Sequence, residues 1–489
     1  MVFIKNIKFS RKAALVQIGS IMVLMAIVVF AFCVRMNTFW LPHWKGDQSH
    51  YISLAMKLDK LGFEHYSLRG VRLGSIDIDP EGKLQLVYPY LMDDVTKPGE
   101  LIQAMKAVGI RYYDQQFFHK PPAFPYALMF SHRLFAHANQ PYCVVLTNTG
   151  EFLSKGKIKA FFEGQFYAAI VPLFFSVGVV VCTFFLGAVL FSRRIGLYAA
   201  FLMAINPIAI MTAQKLWADD MLTFFTVLSL LLFIVAFKKG RQRIAQCVLL
   251  VLAGICCGVA VLVKQSAGFA LVVVFLFSVI AHEKKIWNIK ALPRVIANKY
   301  VVLFFVAALL VSGFWFIKMY RVAGDPLWIP KNDDVLKTDA SGWFRALERR
   351  PASWILYLVG GCSLSPLFVF AFGSLHLFFC NVFRALKKKE YEYRFIFTWL
   401  VILILYFFMV GIKTKEHRYM LPAYPFVAVL ASYGLVRVTD LLKKCGRFLG
   451  NRIVAEAIIV LLFAASAWWS VPLGIQTGIK NEILLRVPF

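Results

Sequence analysis

Apolar residues in this chain arrive in long unbroken blocks, where a half-buried strand would show alternation. Eleven blocks approach the roughly 17–25 residues that cross a bilayer's hydrocarbon layer as a helix. They lie near 13–34, 165–192, 196–213, 221–237, 245–263, 267–281, 300–317, 353–381, 395–412, 419–436 and 453–472. The first is long, flanked by charge and without a small-residue cleavage site before Arg35, so it reads as an anchor. Two polar stretches, 35–164 and 318–352, are too long to be simple connectors. Within the first, Tyr51, Leu54, Leu58 and Leu61 share one face of a predicted helix over 48–62, a pattern suited to lying on a membrane surface. In Ser75–Val87, Ile76, Ile78, Leu84 and Leu86 alternate with polar residues around Asp79-Pro80-Glu81-Gly82, which predicts a β-hairpin. A short helix is expected from Pro121 to about His137, with proline in its first turn.

The fold class that follows is an all-α polytopic membrane protein of about eleven transmembrane helices, with a small mixed α/β loop region. Segment 1–34 carries the first helix, 35–164 the loop region, 165–317 helices two to seven, 318–352 a second loop, and 353–489 helices eight to eleven with a short tail.

Composition agrees: 60% of the 489 residues are hydrophobic and 16% are charged, which excludes a disordered chain. The formal net charge of +28 changes the picture more. In a soluble protein it would suggest nucleic acid. With a cytoplasmic N-terminus, however, the inside segments 1–12, 193–195, 238–243, 282–299, 382–394 and 437–452 hold 25 Lys or Arg against 4 Asp or Glu. That is the positive-inside bias, and it places 35–164 and 318–352 outside. Runs such as Lys387-Lys388-Lys389 then flank anionic membrane lipids, and no nucleic-acid partner is expected. The 9 cysteines show no paired framework and read as small core residues.

Chemistry gathers at the outer mouths of the spans, where an ionisable group is costly and calls for a reason. Five sets stand out: Gly46-Asp47-Gln48-Ser49-His50-Tyr51; His119-Lys120-Pro121-Pro122; Lys215 with Asp219 and Asp220; Lys264; and Lys413-Thr414-Lys415-Glu416-His417-Arg418-Tyr419. Each has a plain structural reading. Asp47 suits a helix N-cap, and Asp219 and Asp220 suit a cap paired with Lys215. Lys264 and Arg418 suit interfacial anchors, and His119 a loop histidine. Together, on one side of the membrane, they supply a carboxylate that can take a proton and cations that can hold a phosphate. That describes a transfer site for an anionic lipid-linked substrate.

In this order the motifs resemble the GT-C class of polytopic glycosyltransferases that use polyprenyl-phosphate sugars, near the protein O-mannosyltransferases and the lipid A aminoarabinose transferases. Gly46–Tyr51 is similar to the family's acidic motif after the first span, and Lys120-Pro121-Pro122-Ala123-Phe124-Pro125-Tyr126 to its Pro-Pro helix start. Asn206-Pro207, Lys215 and Asp220–Phe225 are similar to its third and fourth spans, Gly258–Lys264 to the end of the fifth, and Arg418–Pro425 to a late outer motif.

The resemblance implies an inverting transfer from a polyprenyl-phosphate sugar to a lipid, glycan or protein acceptor at the outer face of a bacterial inner membrane. Asp47 is then the base. Lys120, Lys264, Arg418 and Lys215 bind the donor phosphate, and His119, Asp220, Tyr51 and Tyr419 position substrate. Gln48 and His119 stand where many members carry acids. No nucleotide-sugar site is needed by this chemistry, and no cofactor is assigned. A divalent metal ion is a further candidate, with Asp47, His50 and His119 nearest, although the six histidines of 35–164 match no standard ligand spacing. The competing class is a transporter or flippase of an anionic lipid, which would be expected to show repeats and broken helices.

Overall fold

The computed structural model describes residues 11–36, 47–63, 66, 71–72, 76–78, 84–86, 90–91, 120–135, 155–238, 242–283, 293, 298–324, 366–387, 389–410, 417–442 and 452–479. Among these, eight helices are long and apolar enough to cross a membrane. Their spanning parts are Gln17–Met36, Ala168–Leu190, Asp219–Ala236, Arg243–Val263, Lys299–Arg321, Leu367–Leu386, His417–Leu441 and Val454–Gln476. A ninth span is the bent pair Arg193–Ala204 and Pro207–Ala213, and two shorter apolar helices, Gln265–Ala281 and Tyr393–Met409, occupy the remaining predicted places. All eleven predicted blocks are thus helical where described. The eighth is 310-helical over Pro366–Ser374 before it becomes α-helical, and 353–365 lies outside the described residues.

The α-helices are numbered in chain order: α1 Arg11–Met36, α2 Asp47–Leu61, α3 Ala123–Phe135, α4 Lys155–Leu190, α5 Arg193–Ala204, α6 Pro207–Ala213 and α7 Asp219–Ala236. They continue as α8 Arg243–Val263, α9 Gly268–Glu283, α10 Lys299–Ala323, α11 Leu375–Leu386, α12 Tyr393–Val410, α13 Tyr424–Leu442 and α14 Arg452–Ile479.

The spans pack by shape, because lipid tails are as apolar as the side chains and supply little drive of their own. Gly254 and Gly258, four apart on α8, bring its backbone against α10. A Cβ at either would stand 2.3 Å from the Phe304 carbonyl or 2.6 Å from that of Ala308. A run of edge-on and tilted rings then ties four helices together: Phe233 to Phe304 at 5.8 Å, Phe233 to Phe277 at 6.2 Å, and Phe277 to Phe397 at 5.2 Å. Helix α1 touches the bundle along one narrow stripe, Ile27, Ala31 and Arg35, spaced by four. Its other side shows Met22, Met25 and Val29 outward.

A second core lies at one end of the bundle. Helices α2 and α3 pack on each other and on span ends through Tyr51, Leu54, Leu58, Phe124 and Leu128, against Leu216, Met221, Val263 and Trp315. This corrects one expectation: the apolar face of α2 is not laid on lipid but is buried against protein. The outward apolar residues belong instead to α3, at Phe130, Leu134 and Phe135. The hairpin forms as predicted, with Ile76 opposite Leu86, Asp77 opposite Gln85 and Ile78 opposite Leu84. A second short ladder pairs Val71–Arg72 with Tyr90–Leu91. Most of 35–164 and all of 325–352 lie outside the described residues, so the mixed character of the loop region is not described beyond these ladders.

The third span differs from its sequence reading. It is not one helix over 196–213 but two, bent by 57° at Ile205-Asn206. Pro207 has no N–H to continue the ladder, and Asn206 caps the new helix by accepting from Ile208 and Ala209 at 3.0 Å each. The broken helix expected of a transporter is therefore present, without an internal repeat in the sequence.

Candidate functional site

The site forms where the first turn of α7 meets Lys264, the residue that caps the end of α8, and the 310 segment His417–Ala423 ahead of α13. Asp219 and Asp220 open α7, where the free N–H groups of a helix start favour carboxylates. Both are buried, and Ala218 at the cap position offers no side chain of its own. Asp219 spreads its two oxygens between two cations. Lys264 Nζ lies 3.1 Å from Oδ1, and Arg418 Nη1 lies 3.6 Å from Oδ2. Lys264 terminates α8 in an extended conformation, which closes the helix just where its ammonium is needed.

Aromatic rings hold the cations from the other side, as ring faces attract them. The Arg418 guanidinium sits 4.0 Å over Trp217, and Lys215 Nζ sits 5.5 Å over the same ring. Lys264 Nζ lies 4.4 Å over Tyr419. Burial, with repulsion from Arg418 adding to it, pushes the Lys215 ammonium down to about 8. Two cations thus meet at one carboxylate, and a third, Lys215, stands beside Arg418 over the same Trp217 ring. An anion with several oxygens would relieve both their repulsion and their desolvation.

Of the predicted residues, the structure gathers Lys215, Lys264, Arg418 and Tyr419. It adds Asp219 and Trp217, which the sequence reading had given no substrate role. Asp219, read there as a cap and partner of Lys215, also organises Lys264 and Arg418. Asp220 points into a separate polar group: the Ser176 and Thr212 hydroxyls lie beside its carboxylate and Arg35 faces it. Arg35 is wholly buried and was passed over as the end of the first span. The available signal was its cost, since a lone cation closing an apolar run needs partners.

Lys120 and Tyr51 form a neighbouring piece. Lys120 Nζ lies 5.5 Å over the Tyr51 ring, and its carbonyl accepts from Tyr66 Oη at 2.8 Å. Burial raises the Tyr66 phenol well above its ordinary range, so it stays a donor. Tyr51 is core, edge-on to Phe124 at 4.8 Å, and thereby fixes the start of α2 beside the start of α3. Asp47 is the first residue of α2. Its side chain, and all of His119, lie outside the described residues. Among the described residues no group of three or more His, Cys, Asp or Glu is placed to hold a metal ion, and the set Asp47, His50 and His119 is described only at His50.

Known proteins share this architecture. The family model for dolichyl-phosphate-mannose-protein mannosyltransferases matches residues 110–326. The structure superposes on ArnT from Cupriavidus metallidurans with a TM-score of 0.56, covering 96% of this chain and 78% of that one at 14% identity. The chain has a GT-C fold. The same GT-C fold is found in ArnT bound to undecaprenyl phosphate, at a TM-score of 0.57 over 94% of this chain and 76% of that one, again at 14% identity. It is found too in the oligosaccharyltransferase AglB from Archaeoglobus fulgidus, at 0.54 and 15% identity over 94% of this chain and 56% of that one. An uncharacterized protein of Aquifex aeolicus is 27% identical over 243 residues, which are 49% of this chain and 43% of that protein. The chain therefore spans less than half the length of that curated relative. The GT-C resemblance drawn from the ordered motifs and the helical fold agree, and the chain is an integral multi-pass membrane protein.

Proposed function

We propose that this GT-C protein is a glycosyltransferase that moves a sugar from a polyprenyl-phosphate donor to a lipid, glycan or protein hydroxyl at the extracytoplasmic face. The observation that carries this reading is the group Lys215, Lys264 and Arg418, clustered around Asp219, Trp217 and Tyr419 at one end of the spans. Its charge and depth suit a phosphate whose lipid tail lies among helices. Support comes from the fold relatives, since ArnT is known with undecaprenyl phosphate and AglB with dolichol phosphate.

In the proposed reaction the acceptor oxygen attacks the anomeric carbon, and its proton passes to Asp47. The bond from the anomeric carbon to the phosphate oxygen breaks, and the electron pair leaves with the polyprenyl phosphate. Attack opposite the leaving group inverts the configuration. Lys264, Arg418 and Lys215 steady the charge that grows on the phosphate, and Lys120, held over Tyr51, is a further cation for it.

Asp47→Asn tests the base, because asparagine caps a helix about as well as aspartate. The variant is expected to reach the membrane and melt like the native protein while transfer drops by about two orders of magnitude or more. The measurement is sugar transfer from polyprenyl-phosphate donors, followed by mass spectrometry of envelope lipids and glycans. Native-level transfer by Asp47→Asn would overturn the base. Lipid translocation without any transfer by the native protein would turn the reading to a flippase.

A further inference from the structure

Arg35 has no role in the transfer just described, yet it is 0% exposed and its donors are spread over three helices. Nε donates to Ser176 Oγ at 2.8 Å. Nη1 donates to the carbonyls of Ala31 at 3.1 Å and Ala204 at 3.0 Å, and Nη2 to that of Met203 at 3.2 Å. Two of these carbonyls are the ones the bend sets free. In a continuous helix Met203 would accept from residue 207, which is proline, and Ala204 from Ile208, whose N–H is taken by Asn206 Oδ1. From the backbone beyond the bend Met203 keeps a long 3.4 Å bond from Asn206 N. Asn206 therefore completes the start of α6 while Arg35 completes the end of α5. Ser176 then passes the link across the bend by donating to Ala209 O at 3.3 Å. Beyond it lies Asp220, with Ser176, Thr212 and Arg35 around its carboxylate and Asp219 next in the chain.

Resting on the proposed phosphate site, we infer that Arg35 is a positioning residue for it. The guanidinium clamps the bend in the third span and, through Ser176, steadies the surroundings of Asp220. The first turn of α7 then presents Asp219 so that Lys264 and Arg418 stand together where the donor phosphate binds. A buried cation that donates to one hydroxyl and three backbone carbonyls in fork geometry is not replaceable by lysine, whose point charge reaches fewer of them at once. The same clamp fixes the end of α1, from which the chain continues toward Asp47.

The test uses the full-length protein in lipid nanodiscs with undecaprenyl phosphate as the probe. Its affinity is measured alongside melting for the native protein, Lys264→Ala, Arg35→Lys, Arg35→Met, Asp220→Asn and the double variant Arg35→Met/Asp220→Asn. Lys264→Ala reports on the site itself. If the native protein does not bind the probe, or Lys264→Ala binds it equally well, the phosphate reading fails and the role given to Arg35 fails with it. If those two behave as expected, the Arg35 variants decide separately. Folded Arg35→Met is expected to bind the probe more weakly by roughly tenfold, with Arg35→Lys in between. The double variant should recover part of the loss, since it removes the carboxylate left without its cation. A purely structural arginine would lower melting yet leave the folded fraction with native affinity and additive double-variant effects, and that result overturns the inference.

Discussion

Lys215 gives the site its own pH response. Its ammonium is held down to about 8 from an ordinary 10.5 by burial, with Arg418 adding to the effect. Below pH 8 it is charged in the fold and adds to the pull on a phosphate. Between pH 8 and about 10.5 it is neutral when folded but still charged when unfolded. Unfolding takes up a proton in that window, so this residue's contribution to stability rises with pH there. Donor affinity should move the other way. Binding of undecaprenyl phosphate is expected to weaken above pH 8 and to be accompanied by proton uptake, while melting improves. Lys215→Met should flatten both trends, and calorimetry in buffers of differing ionisation heat would read the proton. At this scale the sequence disclosed which cations stand at the span ends, because charge beside hydrocarbon is conspicuous. It did not disclose what gathers them. Asp219 and Trp217 have innocent local readings, as a cap and an interfacial ring, and only distant contacts give them a task. Arg35 was hidden for the same reason: its partners, apart from Ala31, lie more than a hundred residues away.

Among the helices, the tightest constraint is the approach of α8 to α10 at Gly254 and Gly258. Lys264 closes α8 less than two turns beyond Gly258, so a wedge there would shift the cation as well as loosen the bundle. Gly258→Leu is expected to cost about 1–3 kcal/mol or more by overpacking, read as a lower melting temperature together with weaker probe binding. Gly19→Leu on α1, with nothing within 4 Å of an added Cβ, should do neither. The spans were legible because helix length in a bilayer is set by thickness, and an apolar run of that length has few other uses. The bend at Asn206-Pro207 was not resolved, although its residues were noticed. An apolar count passes over a break whose freed carbonyls are satisfied by a residue from another helix.

For the molecule as a whole, the outstanding expectation is its orientation. In a background with the native cysteines replaced, an impermeant thiol reagent added from outside should label a cysteine placed within 75–90 and miss one at 387–389; the reverse would overturn the extracytoplasmic placement of the site. The overall plan followed from the sequence because blocks, charge bias and motif order all act along the chain, whereas the division into two cores depends on packing that no local pattern encodes. That division meets at the site. Leu216 and Ala218 belong to the outer cluster with α2 and α3, and Trp217 between them belongs to the inner one. Such a seam lets descendants of this protein diverge unevenly. On the proposed reading, volume-conserving changes in the outer cluster can remodel what docks against α2 and α3, while the spans that hold Lys264 and Arg418 stay as they are. A lineage can adopt a new acceptor and inherit its grip on the donor unchanged.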